Sequence, residues 1–218
     1  MHARFQSLIS DDDFEHSAWR AEPNGAVKGG VVVLQEIFGL TGHITQICER
    51  LAEAGYLAIA PDLFARTGVS RPISYDDAEA GLAAVGKTDQ SLLDLDIAAA
   101  FDALEGQPAA VIGFCWGGGQ GWRAACRNPV QAAALFYPTR MADHLDGAPQ
   151  GQVQVHLAHN DRHTPDEVTR AMLAVKPELS LYRYEAAHGF MCSQRTQHNA
   201  LAANAAWARM LSLFDAAL

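Results

Sequence analysis

The chain has 218 residues, 49% hydrophobic and 19% charged, and its 16 Lys+Arg against 25 Asp+Glu leave a net charge of −9. That length suits one domain, 1–218, large enough to bury a core without disulfides or metal, and the acidic balance argues against a broad polyanion-binding surface. No apolar run approaches the about 20 residues of a membrane span. The N-terminal MHARFQSLISDDDF holds no apolar signal core. Cys48, Cys115, Cys126 and Cys192 form no CxxC pair and no disulfide-scaffold density, so the expectation is a soluble, cytoplasmic protein.

Along the chain, the first ~20 residues read as an antiparallel edge hairpin, from short alternating apolar positions. Gly29–Gln35 is an apolar strand, followed by a helix over Gly42–Ala54 with Ile44, Ile47, Cys48, Leu51 and Ala54 on one stripe. A strand over Tyr56–Ala60 comes next, then a helix over Ser91–Leu104 carrying Leu92, Leu95, Ala99 and Leu104. Strands follow at Ala109–Phe114, Ala132–Tyr137, Val153–Ala158 and Leu179–Tyr184, with a helical pattern over Gln120–Arg127. Thr164-Pro165-Asp166-Glu167 signals a helix start, with Thr164 as the cap and Pro165 at the first helical position. A helix over Ala200–Ala217, with Trp207, Leu211 and Phe214 on one stripe, closes the chain. Strands that are apolar throughout, alternating with helices, predict an α/β fold with a mostly parallel twisted sheet and helices on both faces.

The most informative stretch is Gly113-Phe114-Cys115-Trp116-Gly117, between a buried strand and a helical pattern. Glycines two before and two after Cys115 permit a tight strand–turn–helix bend that presents the central side chain at the carboxyl edge of the sheet. A helix N-terminus there favours a thiolate, and the Trp116 N–H stands ready to donate to a developing oxyanion. A buried cysteine in a glycine-rich turn is the plainer alternative. A phosphate cradle fits poorly, since no Gly-Lys-Ser/Thr follows.

A thiol needs a base, and in sheets with this bend the acid and then the histidine follow the nucleophile along the chain. Asp161, in the loop after Val153–Ala158, and His188, in the loop after Leu179–Tyr184, stand in that order. Asp161 would orient His188, which would take the proton of Cys115. His159, Asp161 and His163 also read as alternate-position metal ligands, a weak signal without a distant fourth, and no metal or cofactor is expected.

Gln35-Glu36-Ile37-Phe38-Gly39, Pro61-Asp62-Leu63-Phe64-Ala65-Arg66, the Cys115 bend, Asp161 and His188-Gly189-Phe190 together resemble the dienelactone hydrolase (carboxymethylenebutenolidase) family, from about Val31 to the last helix. The resemblance implies an α/β-hydrolase fold without a large lid domain. It implies a Cys115–His188–Asp161 triad that hydrolyses an ester or lactone through a thioester, with the Ile37 N–H as second oxyanion donor. It also implies that Glu36 is the carboxylate beside the thiol that restrains it until substrate enters. Tyr137 falls where the family has an aromatic near its pocket, and Phe38 and Trp116 could wall an apolar cavity.

The family's arginine four residues after the catalytic histidine is here Cys192, and Arg66, Arg71 and Arg195 inherit no such role by position. A thiol cannot pair with a carboxylate as a guanidinium does, which opens the substrate to uncharged small esters or lactones. A non-catalytic small-ligand binder of the same fold and a redox-responsive thiol pairing Cys115 with Cys192 are the alternatives. The expected partner is a small molecule, with no nucleic acid or membrane, and the protein a monomer or small homo-oligomer.

Overall fold

The computed structural model describes every residue except Ser70, Arg71 and Asn160. Contacts gather the chain into two compact units, Met1–Ala109 and Ala110–Leu218.

In the first unit, β1 (His2–Ile9) and β2 (Glu15–Glu22) form the expected antiparallel hairpin, with Asp13 at φ 63° in its turn. β3 (Gly30–Leu34) and β4 (Leu57–Pro61) are parallel, β2 pairs antiparallel to β4, and the order is β1-β2-β4-β3. Every residue of β3 and β4 is buried, as unbroken apolar strands require. α1 (Gly42–Glu53) buries Ile44, Ile47, Cys48 and Leu51, the expected stripe. α2 (Ala78–Gly86) has no counterpart in the sequence reading. Its start is set by Asp77, whose side chain accepts the Ala80 N–H at 2.9 Å, and its alanine-rich body carries a weak apolar stripe.

α3 (Gln90–Asp102) lies where expected but turns a different face inward. Leu93, Asp96, Ile97 and Ala100 are buried along with the expected Ala99 and Leu104, whereas the predicted Leu92 and Leu95 are partly exposed. The rotation is explained by Asp96, a carboxylate no apolar template would place inside. It accepts hydrogen bonds from Ser10 Oγ (2.6 Å) and from Arg66 Nε (2.9 Å) and Nη2 (2.8 Å).

The second unit runs β5 (Ala109–Phe114), α4 (Trp116–Arg127), β6 (Val130–Phe136), β7 (Gln152–Ala158), α5 (Asp166–Val175), β8 (Ser180–Tyr184) and α6 (Ala200–Ala217). Its strand order is β5-β6-β7-β8, and β6, β7 and β8 are parallel. At the carboxyl ends the ladder is prolonged by Cys115 N–H to Phe136 O (3.0 Å), Tyr137 N–H to His156 O (2.7 Å) and His159 N–H to Tyr184 O (2.7 Å). These bonds fix the loops that carry the chemistry.

Two local expectations shift. α5 begins one residue later than predicted, with Pro165 as its cap, because the Thr164 hydroxyl donates to Pro138 O (2.6 Å) and ties two loops together. α6 buries Ala202, Ala203, Ala206, Met210, Leu213 and Phe214. The predicted Trp207 and Leu211 are only partly covered, since the small alanines, not the tryptophan, allow close approach to the strands.

Candidate active site

Cys115 forms the corner between β5 and α4, with φ 54° and ψ −117°. A side-chain-bearing residue in that region costs on the order of 1–3 kcal/mol. The corner is held from three sides: the Cys115 N–H donates to Phe136 O, and its carbonyl accepts from Thr139 (2.9 Å) and Gly118 (3.0 Å). Gly113 is required because a Cβ there would meet Gly117 O at 2.1 Å, so only glycine lets α4 turn back against β5 so sharply. The Trp116 N–H is the first amide of α4, and no acidic residue in the first turn offsets the positive end of the helix beside the sulfur.

Asp161, in the β7 loop, is 8% exposed, and its Oδ2 lies 2.8 Å from Nδ1 of His188 in the β8 loop. Oδ1 accepts the His163 N–H at 2.9 Å. Burial alone would raise the Asp161 carboxyl, but its contacts with His188 and the His163 amide hold it below the ordinary range. His188 shows the opposite balance: burial disfavours its charge, yet hydrogen bonds to Asp161 and Cys115 raise it to about 10. With Nδ1 committed to Asp161, Nε2 is the nitrogen left for the sulfur.

Aromatic rings set the orientation of that imidazole. Tyr137, fully buried at φ 38°, packs on His188 with centroids 4.9 Å apart, and Phe190 meets Tyr137 edge-on at 5.3 Å. The exposed His163 ring lies 4.7 Å from His188. A further layer was not foreseen from sequence. His156 stacks on Phe136 at 4.6 Å and on Tyr182 at 5.3 Å, its partners in strand register. The Tyr184 hydroxyl accepts from Arg209 (2.9 Å) and shares a hydrogen bond with His156 Nδ1 (2.8 Å), and burial pushes His156 down to about 3, so it is neutral. The signal available was a histidine in a strand that also carries Gln152 and Gln154, a pattern shared with many satisfied core histidines.

Cys115, Asp161 and His188 therefore come together. Cys192 is fully buried in the His188 loop, its N–H bonded to Gly189 O (3.0 Å). Glu36, Ile37 and Phe38 follow β3 in the first unit. Glu36 is 1% exposed, Gly81 of α2 packs on the Ile37 carbonyl, and Phe38 meets Tyr75 edge-on at 5.0 Å. Arg66 is committed to Asp96 and Asp12, while Arg71 lies outside the described residues. Of the alternate-position metal set, His159 turns instead to Glu185 (3.4 Å).

A cavity of about 460 Å³ lies over this region, lined by Asp161, His163, His188, Arg162, Arg195 and Gln197 among others. A larger one, about 730 Å³, opens at the amino ends of β6, β7 and β8. It holds the Lys176–Glu178 pair (2.8 Å) but no cysteine or histidine, so size does not mark the chemistry here.

A parallel strand array, a strained corner residue ahead of a helix and an Asp–His pair on later strand ends define an α/β-hydrolase, of the class that cleaves esters and lactones. The dienelactone hydrolase family model matches residues 17–218, and the chain belongs to that family. It is 34% identical to the "Putative carboxymethylenebutenolidase" of Escherichia coli (strain K12), over 97% of this chain and 86% of that protein. It is 28% identical to the carboxymethylenebutenolidase of Pseudomonas sp. (strain P51), over 84% and 82% of the two chains. Among solved structures it is similar to "Putative Dienelactone Hydrolase from Klebsiella pneumoniae", with a TM-score of 0.85, 26% identity, and coverage of 98% and 99%. Among the described residues, no helix is long and apolar enough to cross a membrane.

Proposed function

We propose that the chain, acting as one hydrolase domain over 1–218, cleaves a small carboxylic ester or lactone with Cys115 as nucleophile, His188 as base and Asp161 as its orienting acid. The observation that supports this most is the 2.8 Å contact between Asp161 Oδ2 and His188 Nδ1, with His188 hydrogen-bonded onward to Cys115.

His188 takes the thiol proton, and the sulfur attacks the carbonyl carbon. The oxyanion is met by the Trp116 N–H and, as the family resemblance implies, by the Ile37 N–H. The C–O bond breaks, the leaving oxygen takes the proton from His188, and a thioester on Cys115 remains. An acylated sulfur no longer carries charge or accepts a hydrogen bond. Part of what raises His188 is then gone, and the imidazole is freed to take a proton from water. Water attacks the thioester, and the acid and the thiol are released. Glu36 is carried in this reading as the carboxylate that restrains the resting thiol, and Phe38, Tyr137 and Cys192 as substrate contacts.

Cys192 in place of the family's arginine, together with the commitment of Arg66 to Asp96 and Asp12, opens the substrate to uncharged esters, and Arg162 and Arg195 are the cations that line the cavity. Four free cysteines fit a reducing, cytoplasmic setting. A monomer or small homo-oligomer acting on small molecules alone completes the reading. The test is turnover of p-nitrophenyl acetate and dihydrocoumarin by Cys115→Ala. Hydrolysis falls by at least about 10³-fold with circular dichroism unchanged; hydrolysis at the wild-type rate contradicts the assignment.

A further inference from the structure

Asp161, His163 and His188 bring one carboxylate oxygen and two imidazole nitrogens within 4.8 Å of one another. Asp161 is buried, His188 half-buried and His163 exposed, so the group faces solvent on one side, through the cavity of about 460 Å³. Two imidazoles and a carboxylate are a donor set that zinc(II) takes, with nitrogens at about 2.0–2.1 Å and oxygen at about 2.0–2.2 Å. Tetrahedral ligation asks these atoms to close to about 3.3 Å from each other, a movement that side-chain rotation supplies. His163 is the ligand placed to make it: it is exposed, its ring lies against His188 at 4.7 Å, and its Nε2 meets Arg162 Nε at a long 3.5 Å.

We propose that Asp161, His163 and His188 form an inhibitory site for zinc(II), with His163 the ligand that the hydrolytic reaction does not use. The ion accepts an electron pair from the Asp161 carboxylate, one from a ring nitrogen of His163 and one from His188 Nδ1, and water fills the fourth position. The Nδ1 proton of His188, now shared with Asp161 Oδ2, leaves to solvent. Nε2 takes a proton from solvent in exchange, so the ring stays neutral in its other tautomer, donates towards Cys115 and has no lone pair with which to take the thiol proton. Zinc thereby removes the base without touching the sulfur. Arg162 and Arg195 line the same cavity and repel a divalent cation, which keeps the site reversible rather than structural.

The inhibition rests on the triad reading above, whereas the binding does not. Isothermal calorimetry on chelator-stripped full chain, with zinc chloride alone as probe, measures the site; turnover of p-nitrophenyl acetate measures its effect. One zinc binds the wild type; His163→Ala weakens it by at least about tenfold, and Cys115→Ala leaves it intact. Zinc suppresses wild-type turnover, a chelator restores it, and the turnover that His163→Ala retains resists the metal. Zinc binding that survives in His163→Ala, or vanishes in Cys115→Ala, or is absent from the wild type overturns the proposal. Calorimetry answers even if no ester is turned over, so failure of the site and failure of the hydrolytic reading give different results.

Discussion

Two buried aspartates, one in each unit, face a cation, and they do different work. Asp96 is 1% exposed and locked by Ser10 and a two-point contact with Arg66, which also grips Asp12 and covers the Phe14 ring at 4.0 Å. His16 beside it, 3.9 Å from Asp96, is kept neutral by burial. Asp161 is nearly as buried but faces an imidazole. A guanidinium holds its proton at any ordinary pH, and the carboxylate contacts hold it harder still, so the Asp96 pair is a fastener. An imidazole passes its proton on, so the same carboxylate beside His188 becomes part of a relay. The partner, not the acid, decides between stability and chemistry.

That contrast is sharpened most by exchanging each acid for its amide. Asp161→Asn lowers kcat by about 10²–10⁴-fold, because the amide offers Nδ1 no charge and permits the wrong tautomer, and this outweighs its loss of the pH-dependent stability shared with His188. Asp96→Asn does the reverse: stability falls by about 2–4 kcal/mol, since Arg66 keeps Asp12 but loses its buried partner, and kcat stays near wild type. Equal effects of the two changes on both readouts would break the distinction.

The pH dependence of stability gives the next, smaller effect. His188 is raised to about 10, so its stabilisation is complete below the ordinary imidazole value of 6.5 and is lost as pH rises through about 10. Asp161 is lowered, so its contribution is present above its ordinary value of 3.8 and is lost as pH falls through the depressed folded value. Urea unfolding of wild type and His188→Gln across this range should therefore differ most between those limits. In Cys115→Ala the upper limit moves down, because one of the groups that raises His188 is gone. The smallest effect concerns the corner itself. Cys115→Gly is more stable than Cys115→Ala by about 1 kcal/mol, opposite to the usual preference, because only glycine relieves φ 54°.

The strand ends and the Cys115 corner could be read from sequence because their signals are local: unbroken apolar runs, and glycines at fixed distances from one cysteine. The carboxyl-end placement of Asp161 and His188 followed from chain order in a parallel array. What escaped was set by partners distant in sequence. Asp96 rotates α3 because of Ser10 and Arg66, Thr164 leaves its capping position for Pro138, and His163 groups with His188 rather than with His159. α2 escaped for another reason, since an alanine-rich body with only Leu82 and Val85 as large apolar residues offers no periodicity to detect.

The central claim, that sulfur at this corner becomes acylated, is tested most directly by intact-mass measurement after rapid mixing with p-nitrophenyl acetate and acid quench. One acetyl group on the wild type, mapped to Cys115 and absent from Cys115→Ala, is the predicted result. A wild-type chain that releases p-nitrophenol through many turnovers while no quench time shows added mass, or that carries the acetyl group elsewhere, would contradict it.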